Sequence, residues 1–387
     1  MAVLNESPFY FNIKMIIDNK KVTSVKIGTD SVVKITDPNG VVLWQKEKPI
    51  TATPMYFENV DSVPITIGVK KNSSDAYTAT LQTSTDGINW EDWGSTSETT
   101  LTKSVPVGDK LYVKAIDNAE RFNYSYTDYN YFTSDGKVSV GGNIMSLGYK
   151  DFEDKTSITK TDAYTRVFSD MTNLVDASNL VLSATTLGNY CYSYMFNGCT
   201  SLTEAPELPA TTLASYCYQY MFQKCTSLTT APALPATTLA TQCYYDMFGD
   251  CTSLTAAPAL PATELARYCY VNMFEYCTSL TAAPALPATE LAQSCYTFMF
   301  DHCISLTAAP ELPATTLADS CYRQMFNGCT NINNVTTYAN DISATNCLFN
   351  WLSGVSKTGD FYNLGSTTYE SGSSGIPTGW TEHTTLD

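Results

Sequence analysis

The chain has 387 residues, more than one hydrophobic core normally spans, so roughly two to four domains are expected. Its 22 Lys and Arg against 38 Asp and Glu give a net charge of −16 with no basic cluster, which excludes a nucleic-acid reader because phosphate binding needs a basic face. Charged residues make up only 16% while aromatics reach 12%, and 26 residues are Tyr, a composition that is globular and β-leaning rather than disordered.

Residues 1–48 hold short β-rich runs, Phe9 to Ile17, Val22 to Ile27, Val32 to Ile35 and Val41 to Gln45, with a turn at Asp37-Pro38-Asn39-Gly40. They read as a small all-β attachment module or a strand-exchanging arm. The first residues carry neither the charged nor the apolar region of a signal peptide, and no later window approaches 18 uninterrupted apolar residues, so neither export nor membrane insertion is expected. Residues 49–148 follow Lys48-Pro49 and read as a β-sandwich, with strand-like runs Ile65 to Val69, Tyr77 to Thr83, Lys110 to Ile116 and Asn130 to Phe132 between Gly, Asp and Ser turns.

Residues 149–355 are repetitive. Cys191, Cys217, Cys243, Cys269, Cys295, Cys321 and Cys347 are each 26 residues apart, and Cys199, Cys225, Cys251, Cys277, Cys303 and Cys329 form a second series. The unit is L-A-x-x-C-Y-x-x-M-F-x-x-C-T-S-L-T-x-A-P-x-L-P-A-T-x, with a looser copy around Val167, Phe168, Met171 and Leu174 before it and another around Cys347, Trp351, Leu352 and Val355 after it. A fixed period of this length predicts stacked units with degenerate capping ends. The constant positions Leu187, Cys191, Tyr192, Met195, Phe196 and Cys199 advance by four and five and fill one half of a helical wheel. The spacing therefore predicts a helical segment of two to three turns per unit, N-capped at Thr211 and its equivalents, with the constant face inward and the variable face in solvent. Pro206 and Pro209 limit the rest of the unit to short extended pieces. Residues 356–387, rich in Gly, Ser and Thr and bearing Trp380, read as a C-terminal cap.

All thirteen Cys lie in the repeats, but Met171 and Val355 replace the second Cys in the looser copies, only two His occur and no C-x-x-C pair exists. The thiols read as small buried hydrophobes rather than disulfides or a metal ladder. No metal or other cofactor is expected. No acyl-transfer, zinc-protease, phosphate-loop or dinucleotide motif appears. His302 occupies a position that is Gly198, Lys224, Asp250, Tyr276 and Gly328 in other copies, a surface variant rather than a base. Glu91 and Asp92 beside Trp90 and Trp93 form an acid-and-aromatic cluster that also reads as a solvated turn with one core Trp. The candidate binding residues lie instead on the variable face: Tyr190, Tyr194, Tyr216, Tyr220, Tyr245, Arg267, Tyr268, Tyr276, Phe298 and Arg323. Aromatics at regular spacing could stack on sugar rings or anchor a protein partner, and repeat drift in a Tyr-rich chain is the alternative origin.

M-F-x-x-C-T-S-L followed by P-x-L-P-A-T-x-L resembles the BspA-like leucine-rich repeats and the related 26-residue surface-protein repeat of gut bacteria and their phages, over residues 165–355. The resemblance implies an α/β leucine-rich-repeat solenoid, right-handed, with binding or adhesive roles and no particular ligand. Lys26 to Trp44 is similar to small β modules at the N-termini of phage structural proteins, and S-T-D-G-I-N-W, Ser84 to Trp90, resembles a turn of immunoglobulin-like or fibronectin-like modules. G-G-N-I-M-S-L, Gly141 to Leu147, resembles the joint through which such modules lead into these repeats. The order of parts implies attachment, spacer and recognition surface. The expected function is that of a non-enzymatic virion protein, a fibre or decoration protein assembled in the host cytoplasm. It would hold other virion proteins through residues 1–48 and host-surface glycan or protein through the repeats, with a homotrimer among the expected assemblies. A bacterial cell-surface adhesin is the alternative, and a glycan-cleaving enzyme a third class.

Overall fold

The computed structural model describes residues 34–36, 42–45, 52–96 and 101–386 and divides the chain into two compact units, 1–48 and 49–387. In the first unit β1 (Lys34–Thr36) pairs antiparallel with β2 (Val42–Gln45), Lys34 opposite Gln45. The β-rich runs expected at Phe9 to Ile17 and Val22 to Ile27 lie outside the described residues.

The second unit begins with alternating strands whose inward residues are apolar. β3 (Tyr56–Asn59), β4 (Ile65–Lys71), β5 (Thr80–Ser84), β6 (Glu91–Ser95), β7 (Leu101–Val105), β8 (Lys110–Ala115), β9 (Asn130–Ser134), β10 (Val138–Asn143) and β11 (Leu174–Val181) form two sheets. One is six-stranded in the order β11-β10-β3-β8-β5-β6 and the other three-stranded in the order β7-β4-β9. In β4, Ile65, Ile67 and Val69 are buried, as period-two alternation requires of a half-covered strand. The sheets meet through aromatic side chains: Phe132 on β9 lies 5.0 Å from Phe57 on β3 and 6.5 Å from Trp93 on β6. β10 pairs in parallel with β11, and Phe168 sits 6.2 Å from both Phe57 and Phe132, so the sheets and the repeats share one apolar core.

The repeats contain no helix. The chain is nearly all β, with 24% in strands, 2% helical and no helix of seven or more residues among the described residues, which overturns the α/β leucine-rich-repeat expectation. Residues 188–199 instead form a ribbon of consecutive turns. The N–H groups of Ser193, Met195, Asn197 and Cys199 donate to carbonyls three residues back, at 3.0 to 3.2 Å. The intervening N–H groups of Tyr192, Tyr194, Phe196 and Gly198 donate to Cys217, Gln219, Met221 and Gln223 of the next coil, at 2.9 to 3.0 Å. An α-helix would bond every N–H four residues back with φ near −63°. Here every fourth residue is left-handed, Tyr190 at φ 56°, Tyr194 at 57° and Gly198 at 75°, and the pattern recurs in each coil. An L-residue in that region costs roughly 1 to 2 kcal/mol. The compensation is non-local, from bonds between coils and from columns of stacked side chains. Phe196, Phe222, Phe248 and Phe274 stack at 5.3 to 5.8 Å, and each buried Phe contributes about 2 to 3 kcal/mol.

Thr211 caps no helix; its N–H and that of Thr212 both donate to the Thr185 carbonyl, beside a single Thr186–Thr212 bridge. The Pro-rich pieces contribute other isolated bridges, such as Thr230–Ala256 and Thr238–Glu264, because proline removes donors a ladder would need. At the far end β12 (Asn334–Thr337), β13 (Gly359–Asn363) and β14 (Trp380–His383) form a parallel sheet. Tail backbone closes over the last coil: the buried Trp351 donates from Nε1 to the Gly375 carbonyl at 3.1 Å, and the Leu352 N–H donates to Ser373.

All thirteen cysteines are free and buried. The second series is more than filler. Cys225, Cys251, Cys277 and Cys303 each donate Sγ–H to a Phe carbonyl of the preceding coil, at 3.1 to 3.2 Å, using a lone pair the turn bonds leave open. Alanine would neither fill the space of the sulfur nor make the bond. Burial pushes the thiols of Cys217, Cys269, Cys321 and Cys329 up to about 12, so the reactive thiolate is scarce at neutral pH. Native protein is therefore expected to resist alkylation, while protein unfolded without reductant takes up label at all thirteen Cys by mass spectrometry. Abundant disulfide-linked peptides would contradict this.

Candidate binding face

The variable residues lie on the outer face of the turn ribbon rather than on a helix. Tyr190, Tyr194, Tyr216, Tyr220, Tyr268, Tyr276 and Phe298 all occupy its left-handed positions, Tyr245 and Arg323 lie between the first and second columns, and Arg267 directly precedes the first. Coil stacking brings the first five tyrosines of the candidate set into two ladders. Tyr190 packs on Tyr216 with centroids 4.3 Å apart and planes within 4°. Tyr194 packs on Tyr220 at 4.5 Å, and Tyr220 meets Tyr245 edge-on at 5.4 Å. The remaining candidates are separate: Arg267 lies over Tyr268 at 5.5 Å, Tyr276 on His302 at 4.7 Å, and Arg323 over Phe349 at 5.4 Å.

Both ladders extend onto residues the sequence pattern did not single out, and two of these, Tyr126 and Tyr129, precede the repeats. Tyr126, from the loop before β9, stacks on Tyr190 at 5.6 Å. The Arg166 guanidinium lies 5.1 Å from the Tyr129 ring and 3.8 Å from that of Tyr194. The inner rungs therefore have both ring faces covered and present edges and hydroxyl groups to solvent. Burial and the neighbouring Tyr216 push the Tyr190 hydroxyl up to about 12, so it stays a neutral donor and acceptor.

Beside the ladders runs a polar row. Asn197 Nδ2 donates to Gln223 Oε1 and Gln223 Nε2 to Asp246 Oδ2, each at 2.8 Å. Further along, Asp301 accepts from Asn327 Nδ2 at 2.6 Å and lies 2.7 Å from His302 Nδ1. Asp246 is only 5% exposed, and its Oδ1 has no partner. It fills volume that side chains occupy in other coils: a Cβ on Gly249 would come within 1.8 Å of that Oδ1, whereas the equivalents of Gly249 are Asn197, Gln223, Glu275, Asp301 and Asn327. Burial, then the nearby Glu275 and Asp250, push the Asp246 carboxyl up to about 8. Burial and Asp301 push Glu275 up to about 7. The lone Gly in an otherwise large polar column was the sequence signal for this arrangement.

The other acid-and-aromatic cluster dissolves into ordinary contacts. Glu91 pairs with Lys103, Asp92 accepts from Gln82 Nε2, Lys114 covers the Trp90 ring, and Trp93 is the core residue. Among the described residues no group of three His, Cys, Asp or Glu side chains could hold a metal ion, and no helix is long and apolar enough to cross a membrane. Two shallow clefts, of about 390 and 470 Å³, open between the Pro rows at Ala257 to Pro261 and Pro310 to Pro313 and are lined by Ala, Leu and Pro with one Glu. What the variable face offers is a preformed array of hydroxyl, amide and carboxyl groups among ring edges. Comparison with known proteins adds no relative to this reading: no protein-family model, curated protein or solved structure matches the chain.

Proposed function

We propose that this chain is a non-enzymatic structural and binding protein of a phage particle, joined to other virion proteins through residues 1–48 and displaying the outer face of its turn ribbon to host-surface glycan or protein. The observation that carries the reading is the division of each coil: inward Cys, Tyr, Met, Phe and Leu barely vary, while the outer columns differ at nearly every coil and are held rigid by backbone bonds between coils. A rigid face carrying many different side chains loses little entropy on binding. Thirteen free, buried thiols agree with assembly in a reducing host cytoplasm. Immunogold labelling of cells and gradient-purified particles with an antibody against residues 185–355 tests the proposal, and gold on the particles is expected. Gold confined to cell envelopes would favour a bacterial adhesin, and loss of polysaccharide viscosity on incubation would favour an enzyme.

A further inference from the structure

A pyranose ring is recognised by laying its apolar C–H face on an open aromatic face while its hydroxyl groups find polar neighbours. Few rings on the ladders can do this. Tyr190 is covered on one side by Tyr126 and on the other by Tyr216, and Tyr194 by Arg166 and Tyr220. Tyr126 is the end rung. It is 47% exposed, and among the described residues its one ring contact is with Tyr190.

The loop that carries Tyr126 is built rather than loose. The fully buried Asn123 donates through Nδ2 to the carbonyls of Asn130 and Thr165, at 3.0 and 2.6 Å, and accepts from the Asn130 N–H at 2.7 Å. The fully buried Asn130 returns bonds to the carbonyls of Phe122 and Tyr77. Arg166 Nε holds the Tyr126 carbonyl itself at 3.1 Å, and Asn72 Nδ2 holds that of Thr127 at 2.6 Å. The loop is thereby tied to the sheets and to the first coil together, and it supplies a ring in the column where that coil carries Asp162. Polar groups lie around the stack: the neutral hydroxyl of Tyr190, the Arg166 guanidinium, and Asp162, buried beside Tyr190 with an Oδ1 that has no partner.

We infer that the face of Tyr126 turned away from Tyr190, beside the Arg166 guanidinium that holds its carbonyl, is a binding subsite for a neutral hexose unit of a surface glycan. The net charge of −16 disfavours sulfated or uronic polymers at long range. The inference rests on the host-binding reading above and narrows its ligand.

The test is native affinity electrophoresis of the full chain in gels containing dextran, yeast mannan or laminarin, with heparin as the anionic comparison, alongside sedimentation of the same protein with cells of the producing culture. Retardation by at least one neutral polymer is expected. Tyr126→Ala should weaken it about tenfold or more, the loss of a central aromatic anchor, while Tyr126→Phe stays within about threefold of wild type, both with unchanged melting. Retardation by none of the neutral polymers, by heparin alone, or equally for Tyr126→Ala overturns the subsite. Cell binding that persists in that case leaves the host-binding function standing, whereas loss of both removes it as well.

Discussion

An Asp246→Asn variant is expected to be more stable than the wild type at neutral pH and to lose most of the decline in stability between pH 5 and pH 8. The Asp246 carboxyl, ordinarily near 3.8, is held up at about 8 in the folded chain by burial and by Glu275 and Asp250, opposed by the Gln223 hydrogen bond and Lys224. Between those two values the folded state keeps a proton that the unfolded state has released. Stability therefore falls as pH rises from about 4 to about 8, by up to about 1.4 kcal/mol per unit, is constant below that window where both states are protonated, and levels off above it. By pH 7 the accumulated deficit is on the order of 4 kcal/mol. Asparagine has the same shape, can still accept the Gln223 Nε2 hydrogen bond of 2.8 Å, and cannot ionise. Glu275, raised from 4.5 to about 7, adds a decline of the same sign over a narrower pH window that the variant retains. Urea unfolding at half-unit steps from pH 4.5 to 8.5 reads the effect directly. Parallel profiles for wild type and variant would mean that Asp246 is ionised in the folded protein and that some group meets its Oδ1.

Substitution of Gln242 should rank Gly above Val in stability. Gln242 sits at φ 54° in the first left-handed column, its N–H bonded to the Arg267 carbonyl of the next coil at 3.1 Å. Glycine removes the steric penalty of the left-handed region, roughly 1 to 2 kcal/mol, and gives part of it back through greater freedom of the unfolded chain, so the variant should fall between neutral and about 1 kcal/mol more stable. A β-branched residue clashes with its own backbone there and should cost about 1 to 3 kcal/mol. In a helix the order reverses, because Gly is the poorer helix former by a few tenths of a kcal/mol and Val merely loses rotamer freedom. Urea midpoints of the two variants thus report the local backbone by the sign of their difference. Val above Gly would restore the helix.

The reason the pattern at Leu187, Cys191, Tyr192, Met195, Phe196 and Cys199 pointed to a helix is that four-residue spacing places side chains on one side of a helix and of a turn ribbon alike. The distinguishing mark lay among the variable residues. Every fourth one must tolerate a left-handed backbone, and those columns do hold Gly198, Asp246, Asp250, Asn272, Gly328, Asn346 and Gly354 among the tyrosines. The tyrosines obscured it, since an aromatic residue is left-handed only where its surroundings hold it there.

Much about this protein was legible in its residues alone: the 26-residue period, the inward set of Cys, Tyr, Met, Phe and Leu, the outward set that varies, and the β-rich segment ahead of them. These are consequences of which side chains avoid water, and a repeated chain states them many times over. Tertiary structure decided the rest. Half of the ribbon's N–H groups find their carbonyls 25 residues onward, a pairing no local propensity encodes. Ladder stacking covers the ring faces of the inner tyrosines and makes Tyr126, a residue outside the repeats, the end rung, while the burial that raises the Asp246 carboxyl goes with the side chain missing at Gly249. Contacts between coils, and between the coils and the sheets, set both outcomes, and such contacts exist only once the chain has folded onto itself.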